Sequence, residues 1–364
     1  MGLYLMFILG CVSGFMLFRR NLIPRDEGEN ESIGRLSIII PARNEELNLS
    51  YLLDSLQKQT VKPFEIIVVD DCSEDRTKEI AESYGITVIQ NPVLPVGWTG
   101  KTWAVWNGFL RSSGDVIAFL DADIRLSPRA LEFLMKERSK VGGVLSVVPF
   151  HHTVKLYERL ALIPNILGVF AFTSIFEQKN PQKGLYGSCI LTTRSDYEKI
   201  NGHNSIRSEL LDDLNLGARY LENDIRVTNF IGRGLVSFRM YPYGLKSELQ
   251  GFGKGAVLST DKLSRWTIAF IAIWFIGLIA SEGAIFLWNT PWAYPMIFGY
   301  ILYALQIYYW VRDVGRFGKI TPLLHILSTL FFLIILLYSA YQVTFLGHVV
   351  WKGRTVGVGG KRDK

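Results

Sequence analysis

Residues 35–46 read RLSIIIPARNEE, residues 65–75 read EIIVVDDCSED and residues 114–123 read GDVIAFLDAD. Each is an aliphatic run that ends on acidic or polar groups. Runs such as 36–40 and 116–120, with no polar alternation, suit strands buried on both faces, as parallel strands are. Between them, Leu47, Leu49, Leu52, Leu53 and Leu56 keep helical spacing, residues 75–84 read as a helix ended by Gly85, and 101–110 as another. With 86–90 as a further strand, the alternation predicts an α/β fold with a mostly parallel sheet. Ligands of such sheets bind in the crevice beyond the carboxyl ends of the strands. That crevice would gather Glu45, Asp70, Asp71, Asp121 and Asp123. Five carboxylates repel one another unless a cation shares the space, and a bound cation calls for an anionic ligand. A nucleotide diphosphate with a divalent metal meets both demands.

The remaining composition points to a membrane. Hydrophobic residues make up 49% of the 364 positions and the mean hydropathy is +0.21, high for a soluble enzyme. The apolar residues gather at the two ends of the chain. Residues 1–18 carry no charged side chain, are followed by Arg19 and Arg20, and as a helix would span about 27 Å, close to a bilayer core. No basic start or small-residue cleavage site marks a signal peptide, so the run reads as an uncleaved anchor. Residues 267–288, 291–311 and 323–350 read as further spans, the second rich in Tyr and Trp as membrane interfaces are. Residues 156–176 are also apolar and read equally as a core helix or as a segment dipping into the membrane.

The net charge is +6 and the pI about 9.1. No basic stripe with interleaved aromatics stands out, which argues against a nucleic-acid partner. The cations instead flank the apolar runs: Arg19, Arg20 and Arg25; Lys254, Lys262 and Arg265; Arg312, Arg316 and Lys319. The positive-inside tendency then places the central domain in the cytosol, with attraction to anionic lipid headgroups. If all three C-terminal runs crossed, the tail with Lys352, Arg354, Lys361, Arg362 and Lys364 would end outside, against that tendency. A re-entrant or interfacial run is the alternative. Cys11, Cys72 and Cys189 show neither metal nor disulfide spacing, consistent with a reducing compartment. The domain reading is therefore an anchor at 1–20, a linker at 21–34, an α/β domain at 35–245, an interfacial segment at 246–266, transmembrane helices at 267–350 and a basic tail at 351–364.

Asp121 and Asp123 stand at i and i+2 after VIAFL and can reach one Mg²⁺ or Mn²⁺, which takes oxygen ligands and shares them with phosphate. Asp70 would accept a hydrogen bond from a pyrimidine ring N–H, and one of Asp70 and Asp71 could cap the next helix. Pro41, Arg43 and Glu45 would wrap the nucleotide from the other side. Lys101 follows Gly100 at a helix start, where backbone N–H groups and an ammonium favour phosphate. Asp212 and Asp213 lie in SELLDDLNLGARYLE, a helical context. Beside a donor site, one of them could be the general base that deprotonates an acceptor hydroxyl. Gly187-Ser188-Cys189 and Asn201-Gly202-His203 read as loops on the acceptor side, and His151, His152 and His203 lack ligand spacing.

PARNE, VVDD, GK and DAD in this order resemble the inverting family-two glycosyltransferases with the GT-A fold, over roughly 36–217. The resemblance implies a Rossmann-like GT-A domain and a UDP-sugar donor, with Asp70 on the base and Asp121 and Asp123 around the metal. It also implies that the general base falls on Asp213. SIIIPARNEE, LSVVPFHHT, SFRMYPYGLKSELQGFGKG and WKGR resemble the bacterial branch that glycosylates C30 carotenoid acids such as 4,4'-diaponeurosporenoate. A Gln-x-x-Arg-Trp motif of processive synthases is matched only by Lys262-Leu-Ser-Arg265-Trp266, which argues against polymerisation. The expectation is a membrane-bound hexosyltransferase moving glucose from UDP to a carotenoid carboxylate, beside neighbouring biosynthetic enzymes. The alternatives are a hydroxyl or phosphate lipid acceptor (hopanoid, polyprenyl phosphate or diacylglycerol), or a non-catalytic membrane scaffold.

Overall fold

The structure is a computed structural model that describes residues 1–26, 34–91, 93–209, 211–254, 256, 258–287, 289–351 and 354–357. Part of the expected linker and most of the expected basic tail lie outside the described residues. In chain order the elements are α1 (Gly2–Leu17), β1 (Leu36–Ala42), α2 (Leu49–Gln57), β2 (Glu65–Asp70), α3 (Thr77–Ser83), β3 (Thr87–Gln90), α4 (Gly100–Arg111), β4 (Val116–Leu120), β5 (Ile124–Leu126), α5 (Ala130–Val141) and β6 (Val144–Val148). They continue as β7 (Phe150–His152), α6 (Leu162–Thr173), β8 (Cys189–Thr193), α7 (Arg194–Lys199), α8 (Asp212–Glu222), β9 (Val227–Ile231), β10 (Val236–Phe238), α9 (Leu245–Gly253), α10 (Arg265–Glu282), α11 (Ala293–Val314), β11 (Gly315–Arg316) and α12 (His325–Tyr341). Two compact units result. A helical one holds residues 1–20, 151–180 and 240–345, and a strand-rich one holds 21–150, 181–239 and 346–364.

In the strand-rich unit seven strands lie in the order β3-β2-β1-β4-β8-β6-β9. The aliphatic runs form the parallel part, with Ile39 opposite Ile67 and Phe119. The expectation of a single, mostly parallel GT-A sheet is corrected here. β8 runs antiparallel to both β4 and β6, and β5 pairs antiparallel with β10 in a second, separate sheet. Ile124 and Leu126 are buried while Arg125 between them is not, the period of a half-buried antiparallel strand, but three residues are too few to read from sequence. Cys189, expected in a loop, begins β8.

Ile39, Val69, Ala104, Val105, Phe109, Phe119, Tyr197 and Tyr220 form one buried core against the large sheet. Helix α4 comes so close to that sheet because position 108 is glycine. A Cβ there would lie 2.5 Å from Cγ2 of Ile39 and 2.9 Å from Cγ2 of Val69. This contact sets the height of α4, and with it of Lys101 at its first turn.

The helical unit is built on aromatic packing. Phe170 lies 5.3 Å from Trp274 and 5.2 Å from Trp310, and Phe18 stacks on Trp310 at 5.1 Å. Glycines on α1 admit these rings: a Cβ on Gly14 would lie 2.6 Å from Trp274 and from Trp310. Inside this apolar contact Trp310 Nε1 is buried without a hydrogen-bond partner among the described residues, but the polar groups of Trp274, Gln306 and Tyr303 are paired. Trp274 donates to Gln306 at 2.9 Å, Gln306 donates to the Cys11 carbonyl at 2.6 Å, and Tyr303 donates to the Trp274 carbonyl at 2.9 Å. Among the described residues three helices are long and apolar enough to cross a membrane: 157–177, 265–282 and 321–346. The run at 156–176 is therefore one of them, whereas 2–17 is apolar but shorter.

Within this unit His325 at the start of α12 meets Glu282 at the end of α10, and Phe332 meets Phe275. Helix α12 thus runs antiparallel to α10. Helix α11 does too, since Tyr300 near its start stacks on the same His325. The segment 315–324 carries the chain back along the bundle, so α12 ends at the same end as α10 begins. Three simple successive crossings, one of the two readings left open by the sequence, would put that end of α12 on the other side.

Gly108→Val is expected to destabilise the strand-rich unit by about 1–3 kcal/mol through overpacking, with Gly108→Ala costing less. Denaturant unfolding of the purified variants measures this; equal stability of Gly108→Val and the parent would remove the close approach as a determinant of α4.

Candidate functional site

The site forms where β4, β8, α4 and α8 of the strand-rich unit end or begin. Helix α4 starts at Thr99, whose side-chain oxygen accepts from the Thr102 N–H at 3.4 Å. Its first turn is tied to a second segment, because the Arg207 carbonyl accepts from Thr99 N at 2.9 Å and from the Thr102 hydroxyl at 3.0 Å. The tie brings the start of α4 beside the chain that leads into α8. Lys101 Nζ lies 2.8 Å from Asp121 Oδ1 and 4.0 Å from Asp212 Oδ2, with 37% of its side chain exposed. Burial acts against the charge on Lys101, but Asp121, Asp212 and Asp213 outweigh it and hold the ammonium above its usual range.

The segment 186–188 stitches the acids together. Asp121 N donates to the Ser188 carbonyl at 2.9 Å, and Gly187 N donates to Asp213 Oδ2 at 3.1 Å. Asp213 Oδ1 accepts from Leu214 N at 3.0 Å. Asp212 and Asp213 occupy the first turn of α8, where the helix dipole favours negative charge. Tyr186 joins the group without having been legible as a site residue. Burial, then Asp123, Asp213 and Asp121, push its phenol above the usual tyrosine range.

A second cluster lies at the ends of β1 and β2. Asp70 is 3% exposed and accepts from Ser73 N at 3.3 Å. Asp71 accepts from Asn91 Nδ2 at 3.0 Å, and Asn91 Oδ1 accepts from Asn107 Nδ2 at 3.0 Å. Arg43, expected to face an anion, donates to the Asp71 carbonyl at 2.8 Å and so fixes the loop after β2. Glu45 is buried, accepts from Asn48 at 3.0 Å, and its N–H donates to Thr77 at 2.8 Å. Pro41 sits in β1 opposite Val69. Neither Asn107 nor Asn91 was picked out from the sequence: Asn107 is the one amide in TWAVWNGFL, a signal that could have marked it, whereas Asn91 has no local signal.

Among the described residues no three His, Cys, Asp or Glu side chains converge as a metal ion would need. The donor set still fits a hard divalent cation, which commonly takes one or two carboxylates and leaves its other positions to phosphate and water. Asp121 and Asp123 are the pair that would hold it.

A family model for glycosyl transferase family 2 matches residues 37–200. The 4,4'-diaponeurosporenoate glycosyltransferase of Staphylococcus haemolyticus (strain JCSC1435) is 32% identical over 363 residues, covering 96% of this chain and 96% of its own length. The chain belongs to glycosyltransferase family 2. The enzyme of the same name from Staphylococcus aureus (strain N315) is 32% identical over 355 residues, covering 95% of this chain and 94% of its own. This glycosyltransferase also shares its fold with a mannosyltransferase from Pyrobaculum calidifontis solved with GDP-mannose and Mn²⁺, at a TM-score of 0.55 and 14% identity over 94% of this chain and 95% of that one.

His203 is buried close enough to Asp212 and Lys101 to feel both charges. The Tyr197 hydroxyl accepts from His203 N at 3.0 Å and lies 2.7 Å from His203 Nδ1. Burial pulls His203 down to about 4, Asp212 opposes this and Lys101 adds to it. A depressed histidine stabilises the fold fully above the unfolded value of about 6.5 and loses that contribution as pH falls toward 4. The glycosyltransferase is therefore expected to lose up to about 3 kcal/mol between those limits through this group. His203→Gln should flatten that part of a stability-against-pH curve; an unchanged acid slope would assign the loss elsewhere.

Proposed function

We propose that the enzyme moves a hexose, with glucose the first choice, from a UDP-sugar to the carboxylate of an apolar polyene acid, with inversion. The observation that carries this is the Lys101 ammonium set between Asp121 and Asp212 at the carboxyl edge of the sheet. It supplies a cation for a diphosphate beside two acids suited to a divalent metal. In this reading Asp70 takes the uracil N–H, Pro41, Arg43 and Glu45 shape the nucleotide wall, and Lys101 turns from Asp121 to the diphosphate when the donor enters. A Mg²⁺ or Mn²⁺ on Asp121 and Asp123 would neutralise charge on the leaving diphosphate.

The acceptor reading rests on the named activity of the Staphylococcus relatives and on the state of the acid pair. A carboxylic acid with a pKa of about 4 to 5 is ionised at neutral pH and needs no base. One of its oxygens bonds to the anomeric carbon while the bond from that carbon to the diphosphate breaks, and both electrons leave with UDP. An ester forms and no proton moves. Asp213 suits this chemistry as a brace: its two oxygens accept backbone N–H groups from Gly187 and Leu214. With a hydroxyl lipid the same Asp213, or Asp212, would have to act as base.

The helical unit supports a membrane setting with the donor site on the cytosolic side. Arg19 and Arg20 follow α1, Arg265 opens α10 and Arg312 lies in the last turn of α11. Arg20 pairs with Asp313 at 3.3 Å, which draws these cations to one end of the bundle, as the positive-inside tendency expects. In domain terms, residues 35–245 carry donor binding and transfer, and the apolar runs hold the chain where an insoluble acceptor dissolves.

Detergent-solubilised protein with UDP-glucose, Mn²⁺ and a C30 carotenoid acid is expected to yield the glycosyl ester, scored by mass, and to lose it on EDTA treatment. Asp123→Asn should lower kcat/KM by about 100-fold. Turnover indifferent to both EDTA and Asp123→Asn would remove the metal assignment. Asp213→Asn should leave ester formation within about tenfold, whereas a hydroxyl acceptor would lose about 100-fold or more with it. The second outcome, with no ester from the acid, would move the enzyme to hydroxyl lipids.

A further inference from the structure

The outer face of α11 carries a track that the transfer reaction does not use. Ile301, Leu305, Tyr308 and Tyr309 are all between 45% and 64% exposed, and Arg312 follows at the next helical repeat. Their spacing of three and four places them on one side of the helix. From Ile301 to Arg312 the track is about 16 Å long, close to the roughly 15 Å half-thickness of a bilayer's hydrocarbon core. At its charged end the returning segment 315–324 lies alongside. There Leu305, Tyr308, Tyr309, Arg312, Gly318 and Lys319 line a groove of about 420 Å³. Arg312 lies over the Tyr309 ring at 4.1 Å, and Lys319 is exposed. The acid nearest Arg312 is Asp313, 3.6 Å from its Nε, but that carboxylate is fully buried and already shared with Arg20. The groove mouth is therefore cationic and its length apolar.

We propose that this groove is a binding site for one anionic phospholipid, its headgroup phosphate on Arg312 and Lys319 and an acyl chain along Leu305 and Ile301. Charge and length select this occupant. A zwitterionic lipid offers the same chain but brings its own cation to the two basic side chains, and a free phosphate offers the charge without the chain. Tyrosines 308 and 309 sit where interfacial aromatic rings are favoured, between the charged mouth and the apolar track. None of the groove residues belongs to the donor site, and the same lipid would bind whichever acceptor the enzyme uses.

Native mass spectrometry of the full chain in neutral detergent tests it, with phosphatidylglycerol or phosphatidylcholine of identical acyl chains added at equal concentration. One phosphatidylglycerol per chain should be retained, at least fivefold over phosphatidylcholine. Lys319→Gln should lower that retention about fivefold, the worth of one basic side chain at an anionic lipid surface. Arg312→Gln with Lys319→Gln should bring it to the phosphatidylcholine level. Leu305→Gln, on the exposed track, should weaken retention of both lipids, and it keeps the test open if removing Arg312 from Asp313 unfolds the bundle. Equal retention of the two lipids, or no effect of Lys319→Gln, would overturn the proposal. Displacement of phosphatidylglycerol by glycerol phosphate would also overturn it, because the site would then read phosphate without the chain.

Discussion

The ammonium of Lys101 is what the strand-rich unit is arranged around. Asp121 at the end of β4, Asp212 and Asp213 at the start of α8, and the nearby Asp123 are like charges that would spread apart without it. A single cation 2.8 Å from Asp121 and 4.0 Å from Asp212 offsets that repulsion. It can do so only because Gly108 lets α4 lie close to β1 and β2 and because Arg207 holds the helix's first turn. In the proposed reaction the same arrangement serves the donor. A diphosphate would present to Lys101 what Asp121 presents in its absence, so binding would exchange one anionic partner for another instead of exposing a bare charge.

The helical unit meets a different constraint. A chain in lipid must satisfy its polar groups internally. Gln306 accepts from Trp274 and donates to the carbonyl of Cys11, so one side chain joins α1, α10 and α11. Glu282, His325 and Thr329 form a second such knot, with Thr329 donating to Glu282 at 2.7 Å. Gln306 and its partners lie among large rings admitted by Gly10 and Gly14 of α1 and Gly277 of α10, so the small residues and the buried amide belong to one packing solution. The acidic and basic groups left outside it, Arg312 and Lys319 above all, are where the bundle addresses its surroundings.

Much of the strand-rich unit was legible. The aliphatic runs of β1, β2 and β4 appear where their composition places them, and Asp70, Asp121, Asp123, Asp212 and Asp213 all stand at ends of elements. Strands β8 and β5 were not. β8 looks like a loop in sequence because Gly187-Ser188 leads into Cys189, and β5 is three residues long. A strand that short shows no period of its own; its partner across the sheet makes it a strand. Tyr186 and Asn91 escaped for a related reason, since their significance lies in which carboxylates they face.

By itself the sequence determined which segments are buried, which ends carry acids and which runs prefer lipid, because these follow from side chains within a few residues of one another. Only the tertiary structure decided which cation sits on Asp121, that Asp213 accepts from Gly187, that β8 enters antiparallel, and that α12 runs back toward the start of α10. Those are pairings between distant parts of the chain. They are set by how closely helices and sheet can approach, and a local pattern of residues carries no record of that distance.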